Sequence, residues 1–161
     1  MVLRNAKRPM IVDVGSGAGG FTRLLRRRYP KCKVVGVDER QASKADVKQP
    51  FGVFFQYDLK EPERVKRVWI NHVKLTSPSA FEEFKAMVRV LPPGTPIMVT
   101  LRRESVAVAK NAFELAGLEI RSEREWNPRM IGSEFTKEFY RQAKAGNSEK
   151  MPVRFALVKP G

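Results

Sequence analysis

The sequence predicts an α/β protein, with one doubly wound sheet of about seven strands in a single domain over residues 1–161. Three observations predict it. Short apolar runs alternate with amphipathic stretches, the first run ends in the glycine-rich turn VDVGSGAGG, and three successive runs end in aspartate.

Taken in order, MIVDV (10–14) is a short apolar run ending at glycines, as expected of a buried parallel strand. GFTRLLRRRYP (20–30) follows as a helix with Phe21, Leu24 and Leu25 on one face, stopped at Pro30. KVVGVD (33–38) is the second strand, and the weakly helical QASKADVKQP (41–50) predicts a short or irregular crossover. GVFFQYDL (52–59) reads as a third strand and RVWINHV (67–73) as a fourth. A helix then starts with Ser79 as N-cap and Glu82 as its capping-box partner. Its residues Phe81, Phe84, Met87, Val88 and Leu91 recur at core spacing. After the turn LPPGTP comes a fifth strand, IMVTL (97–101), and then an amphipathic helix, SVAVAKNAFELAG, capped by Gly117. LEIRSEREW (118–126) and VRFALVK (153–159) are the sixth and seventh strands, separated by a long polar segment (127–150) with a helical piece.

Composition narrows the function. The chain carries 31 Lys and Arg against 17 Asp and Glu, a net charge of +14. An unmatched basic excess favours a polyanionic partner, because neutralising phosphates releases condensed counterions. No apolar run is long enough to span a membrane, and the N-terminus has no signal-peptide pattern, so the cytoplasm is the expected location. A single cysteine, Cys32, forms no intrachain disulfide and builds no cysteine zinc site; no metal is expected.

The glycine loop is ambiguous by itself. Gly15, Gly17 and Gly20 have dinucleotide spacing, whereas Asp13, Gly15, Gly17 and Gly19 form D-x-G-x-G-x-G. A dinucleotide would place a pyrophosphate on the helix N-terminus, where the Asp13 charge is unhelpful. A sulfonium-bearing ligand has no phosphate, and there an acid can orient the loop or face the cation. Asp38, at the end of the second strand, suits ribose hydroxyls of either ligand, and Asp58 suits an adenine amino group.

Asp13-Val-Gly15-Ser16-Gly17-Ala-Gly19, Asp38 and Asp58 resemble the first three motifs of the class I S-adenosylmethionine-dependent methyltransferases, and FEEFKAMVRVLPPGTPIMVTL and AFELAGLEI resemble their later segments. The resemblance runs from about Met10 to about Ile120. It implies a Rossmann-like fold and S-adenosylmethionine as cofactor, held by Asp13, Gly15, Ser16, Gly17, Gly19, Asp38, Glu39 and Asp58. It also places the fourth-strand end at the methyl group, making Asn71, His72 and Arg102 the candidate catalytic residues, with transfer mainly by proximity.

Within that family, GGFTRLL with the short passage to FGVFFQYDL resembles the ribosomal RNA ribose 2′-O-methyltransferases. Their lysine–aspartate–lysine–glutamate set is not reproduced, since Asn71 and Thr100 stand at two of its places. HVKLTSP is weakly similar to a segment of tRNA guanine-N7 methyltransferases, without their Pro-Asp-Pro-Trp run. The expected substrate is tRNA or rRNA. Its contacts are sought among Arg23, Arg26, Arg27, Arg28 and Lys31 on the first helix, Arg102 and Arg103 after the fifth strand, and Arg121, Arg124 and Arg129 near Trp126, Met130, Phe135, Phe139 and Tyr140. The alternatives are a small-molecule or protein methyltransferase, and a nucleic-acid-binding relative that is inactive without a partner subunit.

Overall fold

A computed structural model describes residues 7–71, 77–125 and 152–161. The elements run β1 (Met10–Val14), α1 (Gly20–Arg28), β2 (Lys33–Val37), α2 (Phe51–Val53), β3 (Val65–Asn71), α3 (Pro78–Val90), β4 (Pro96–Leu101), α4 (Val106–Leu115), β5 (Glu119–Glu125) and β6 (Val153–Val158). They build one six-stranded sheet in the order β2-β1-β3-β4-β6-β5. β1 to β4 pair in parallel, and β6 runs antiparallel between β4 and β5. The α/β expectation holds, with six described strands rather than about seven.

The missing strand is the one predicted over 52–59. Phe51–Val53 is α-helical and Phe54–Asp58 continues as a π-helical turn. Its buried residues, Phe51, Phe54 and Phe55, follow the helical i, i+3, i+4 period, while Tyr57 is exposed. Aromatic richness suggested a strand; the period of burial is that of a helix packed on α3. What remains of a strand outside β2 is one parallel bridge, Val37 to Val47. The rest of that edge is closed by side chains. Asp46 Oδ2 accepts from the Gly36 N–H (2.7 Å), and Arg26 Nη2 donates to the Val34 carbonyl (3.1 Å) and to Asp46 (2.8 Å). An edge strand whose polar groups are met this way does not template a foreign strand.

The helix caps follow from local chemistry. α3 is capped by Ser77 rather than Ser79: Ser77 Oγ accepts from the Ala80 N–H at 3.2 Å, and Pro78 occupies the first turn, where its missing N–H costs nothing. α4 ends as expected at Gly117 (φ 77°), with the Gly117 and Leu118 N–H groups donating to Glu114 and Phe113 carbonyls.

The sheet separates two apolar layers. The larger lies under α2, α3 and α4 and is centred on the Phe84, Phe113 and Phe155 rings, 5.6 and 5.4 Å apart in sequence. The smaller lies under α1, where Phe21 meets Trp69 edge-on at 5.3 Å beside Ile11, Leu25 and Val34. Among the described residues no helix is long and apolar enough to cross a membrane.

Candidate functional site

The functional cavity lies where an open parallel sheet places one, beyond the carboxyl ends of β1, β2 and β3. It has a volume of about 910 Å³ and is lined by the glycine loop, Asp38 to Arg40, Gln49 to Phe51, Asn71 and the start of α3.

The loop leaves β1 and folds back on β2. Gly15 and Ser16 N–H groups donate to the Val37 carbonyl at 2.8 and 3.3 Å. Gly15, Gly17 and Gly19 have φ of 74°, 53° and 83°, the left-handed region that favours glycine. Close approach also depends on Gly36 in β2, where an added Cβ would lie 3.0 Å from both Ser16 Oγ and Thr22 Oγ1. Asp13, 1% exposed, accepts a 2.7 Å hydrogen bond from Thr22 Oγ1 and so ties the strand end to α1. Thr22 and Gly36 escaped the sequence reading because their roles come from contacts between elements.

Asp38 is the organising acid. Its Oδ2 accepts from the Gly17 N–H (2.8 Å) and Arg40 Nη2 (2.9 Å), and its Oδ1 from the Arg40 N–H (2.9 Å) and Nε (3.1 Å). Burial alone would raise its pKa, but the Arg40 guanidinium and the Arg40 and Gly17 N–H groups outweigh it and hold the carboxyl below its ordinary value. Arg40 thus covers the acid, although its own side chain is 69% exposed.

Glu83 of α3 also lines the cavity. Its pKa is raised, first by desolvation and then by the Glu39 charge, while the Gly52 N–H donating to Oε1 (3.2 Å) acts the other way. Glu39, Glu83 and Asp38 together make this side of the cavity acidic, which suits hydroxyl donors and a cationic ligand.

Three lining side chains carry buried polar atoms with no hydrogen-bond partner: Ser16 Oγ, Gln49 Oε1, and both Oδ1 and Nδ2 of Asn71. Buried polar atoms in folded proteins are nearly always satisfied, so their gathering in one cavity marks a place built for a polar ligand. A nucleoside joined to an amino acid fits, with hydroxyl acceptors at Asp38, polar groups at Ser16 and Gln49, and the Phe51 ring beside them.

The remaining candidates divide clearly. Gly15, Ser16, Gly17, Asp38, Glu39 and Asn71 line the cavity with Asp13. Gly19 does not line it, but serves as N-cap of α1. Asp58 is exposed at the end of the π-helical turn and outside the cavity lining, because residues 52–59 are not a strand; Gln49 is in the lining instead. Arg102 is exposed after β4 and also lies outside the lining. His72, Trp126, Arg129, Met130, Phe135, Phe139 and Tyr140 lie outside the described residues. Among the described residues no His, Cys, Asp and Glu side chains form a group able to hold a metal.

Comparison with known proteins decides between the ligand classes. The FtsJ-like methyltransferase family matches residues 2–146. The chain belongs to this family. S-adenosylmethionine is the methyl donor of FtsJ-like methyltransferases, and the orphaned polar atoms and glycine cradle fit it. The ribosomal RNA large subunit methyltransferase E of Zymomonas mobilis is 35% identical over 68 residues, which are 42% of this chain and 28% of that protein. A trans-aconitate 2-methyltransferase of Escherichia coli is 30% identical over 88 residues, 52% of this chain and 35% of that protein. The chain therefore spans about a third or less of those relatives. Among solved structures, a methyltransferase in complex with the Trm112 methyltransferase activator of Haloferax volcanii superposes with a TM-score of 0.65 at 18% identity, over 99% of this chain and 86% of that one. That likeness concerns the fold.

Proposed function

We propose that this chain transfers a methyl group from S-adenosylmethionine to RNA, either tRNA or rRNA. The observation that carries the cofactor half is the set of unpartnered buried atoms converging with Asp38 on one cavity. Asp38 takes the ribose hydroxyls, Ser16 Oγ the amino-acid end, and Gln49 and Phe51 the adenine. When bound, the cofactor supplies an electrophilic methyl on a sulfonium. The protein's part is to hold the acceptor in line with it and to exclude water.

The RNA half is supported by the +14 charge and by exposed cations around α1 and the cavity mouth, including Arg23, Arg27, Arg28, Arg40 and Lys44. The similarity to a ribosomal RNA methyltransferase points the same way. The test is to incubate purified protein and labelled methyl donor with total RNA from cells lacking it. Label should enter RNA, and RNA affinity should fall steeply with salt. Labelled small molecules with unlabelled RNA would favour the second reading, to which the trans-aconitate methyltransferase similarity lends weight. A partner subunit completing the site is a further proposal, prompted by the neighbour solved with its activator.

A further inference from the structure

Four donors occupy the Asp38 carboxylate, two on each oxygen. Oδ1 accepts from the Arg40 N–H and Nε, and Oδ2 from the Gly17 N–H and Arg40 Nη2, all between 2.7 and 3.1 Å. An ionised carboxylate offers about four acceptor positions. The two ribose hydroxyls of a nucleoside therefore enter only as two of these donors leave.

The backbone donors are held and the guanidinium is not. Gly17 takes a φ of 53°, and its carbonyl accepts from the Lys44 N–H at 2.8 Å. The Arg40 carbonyl accepts from the Ser43 N–H at 3.1 Å, which fixes the Arg40 backbone in a turn. The Arg40 side chain, by contrast, is long and 69% exposed. An ion pair so exposed to water holds its partners by only about fivefold. Its Nε and Nη2 sit on different oxygens of Asp38, the two places that a cis-diol needs. Exchange is then one for one, and each oxygen keeps a backbone N–H and gains a hydroxyl.

The place where the guanidinium is released decides its use. Arg40 lines the cavity with most of its side chain in solvent, so it stands at the mouth. It lies beside the glycine loop, where a Cβ added at Gly17 would be 3.1 Å from Nη2. Exposed Lys44 flanks the same loop, its Cβ 3.5 Å from one added at Gly19. An RNA that puts a nucleotide into this cavity lays its backbone over the mouth, and a free guanidinium matches a phosphate with a planar pair of donors. We propose, on the reading of the chain as an RNA methyltransferase, that Arg40 is a phosphate contact for RNA that bound cofactor makes available: the ribose diol takes Asp38, and the released guanidinium takes a backbone phosphate. Cofactor then strengthens RNA binding, and RNA strengthens cofactor binding by the same factor. Protein without the methyl donor holds RNA less tightly, so substrate gathers on the loaded form.

Two measurements test this. Anisotropy of a labelled single-stranded oligoribonucleotide of mixed sequence is read across a salt series, with and without saturating S-adenosylhomocysteine, which carries the same ribose. In the wild type S-adenosylhomocysteine should tighten RNA binding about fivefold, the low end of ordinary coupling between sites. It should also steepen the log–log salt slope by about 0.7, one phosphate contact. Both changes should vanish in Arg40→Ala. Equal tightening in the two proteins, or none in the wild type, overturns the proposal and leaves the RNA reading standing. RNA affinity that ignores salt overturns the RNA reading itself, and calorimetry that finds no S-adenosylhomocysteine bound overturns the cofactor reading. The second measurement follows the Arg40 Nε–H resonance of the wild type, assigned by its loss in Arg40→Lys. Its exchange with water should quicken several-fold when S-adenosylhomocysteine binds and slow again when the oligoribonucleotide is added. Unchanged exchange keeps the guanidinium on Asp38 and overturns the proposal. Faster exchange that RNA does not reverse leaves the guanidinium to water or to neighbouring Glu39, and overturns it as well.

Discussion

Removing the Asp38 carboxylate should weaken S-adenosylmethionine binding about 10- to 150-fold, and removing Arg40 should do the opposite. The first figure is about 1.5–3 kcal/mol for hydrogen bonds to a charged acceptor, converted at 1.4 kcal/mol per tenfold. The second is smaller. Arg40 contacts both Asp38 oxygens, at 2.9 and 3.1 Å, so ribose hydroxyls must share or displace it. Because the guanidinium is 69% exposed, its pair with Asp38 contributes at most about 1 kcal/mol, which limits the gain in Arg40→Ala to roughly fivefold. Isothermal calorimetry on Asp38→Ala, Arg40→Ala and the double variant measures both terms, and the double variant should resemble Asp38→Ala. Titration with S-adenosylhomocysteine should give the same ordering, since the ribose is unchanged. Unaltered affinity in Asp38→Ala would remove the acid from the site. A loss in Arg40→Ala equal to that in Asp38→Ala would make Arg40 a ligand rather than a cover.

Other expectations can be checked on the same preparations. Gly52→Ala would place a Cβ 2.9 Å from Glu83 Cα, Cβ and Cγ and push α2 off α3; overpacking of about 1–3 kcal/mol corresponds to a melting temperature lower by roughly 2–12 °C. Glu83 has a raised pKa in the folded protein, so its carboxylate costs stability once the pH exceeds that value, and the cost vanishes below the unfolded pKa. Glu83→Gln, which keeps an acceptor for Gly52, should therefore melt higher than wild type at neutral pH and show no advantage in acid; a pH-independent difference would contradict the assignment. Arg27→Ala with Arg28→Ala should flatten the salt dependence of RNA binding, by about 0.7 in log–log slope per lost phosphate contact, while lowering the melting temperature by no more than a few degrees. Arg26→Ala should lower the melting temperature, because it unpins Val34 and Asp46 at the β2 edge.

The parts of the site legible in the sequence are those whose chemistry is local. A strand ending in Asp13, glycines that must take positive φ, and an acid one residue past β2 sit within a few positions of each other and of a strand end. Asn71 was legible for the same reason, as the end of β3. Gln49 and Phe51 were not. Their place in the cavity goes with residues 51–58 forming helical turns rather than a strand, with Gln49 to Phe51 brought into the lining. Reading 52–59 as a strand carried Asp58 into the site and left Gln49 in a loop. The spacing of Phe51, Phe54 and Phe55 was the available signal, outweighed by their aromatic character.

The β2 edge also changes how the basic surface should be read. A raw excess of +14 treats every cation as equally free for RNA. Arg26 instead spends its guanidinium on Asp46 and a strand carbonyl, Arg40 on Asp38, Arg103 on Glu125 and Lys110 on Glu123. Of the arginines on α1, Arg26 therefore belongs to the fold, and Arg40, beyond it, is paired with Asp38 in the cavity lining. Arg27 and Arg28 follow on exposed positions of the last turn of α1. There they also offset the negative end of the helix dipole, an effect worth only about 0.3–1 kcal/mol at the surface. Phosphate binding gains more from each such cation than the fold does, because it releases a condensed counterion each time. An RNA path along the Arg27 and Arg28 end of α1 would use charges that the fold can spare, whereas Arg23 donates to the Ala18 carbonyl.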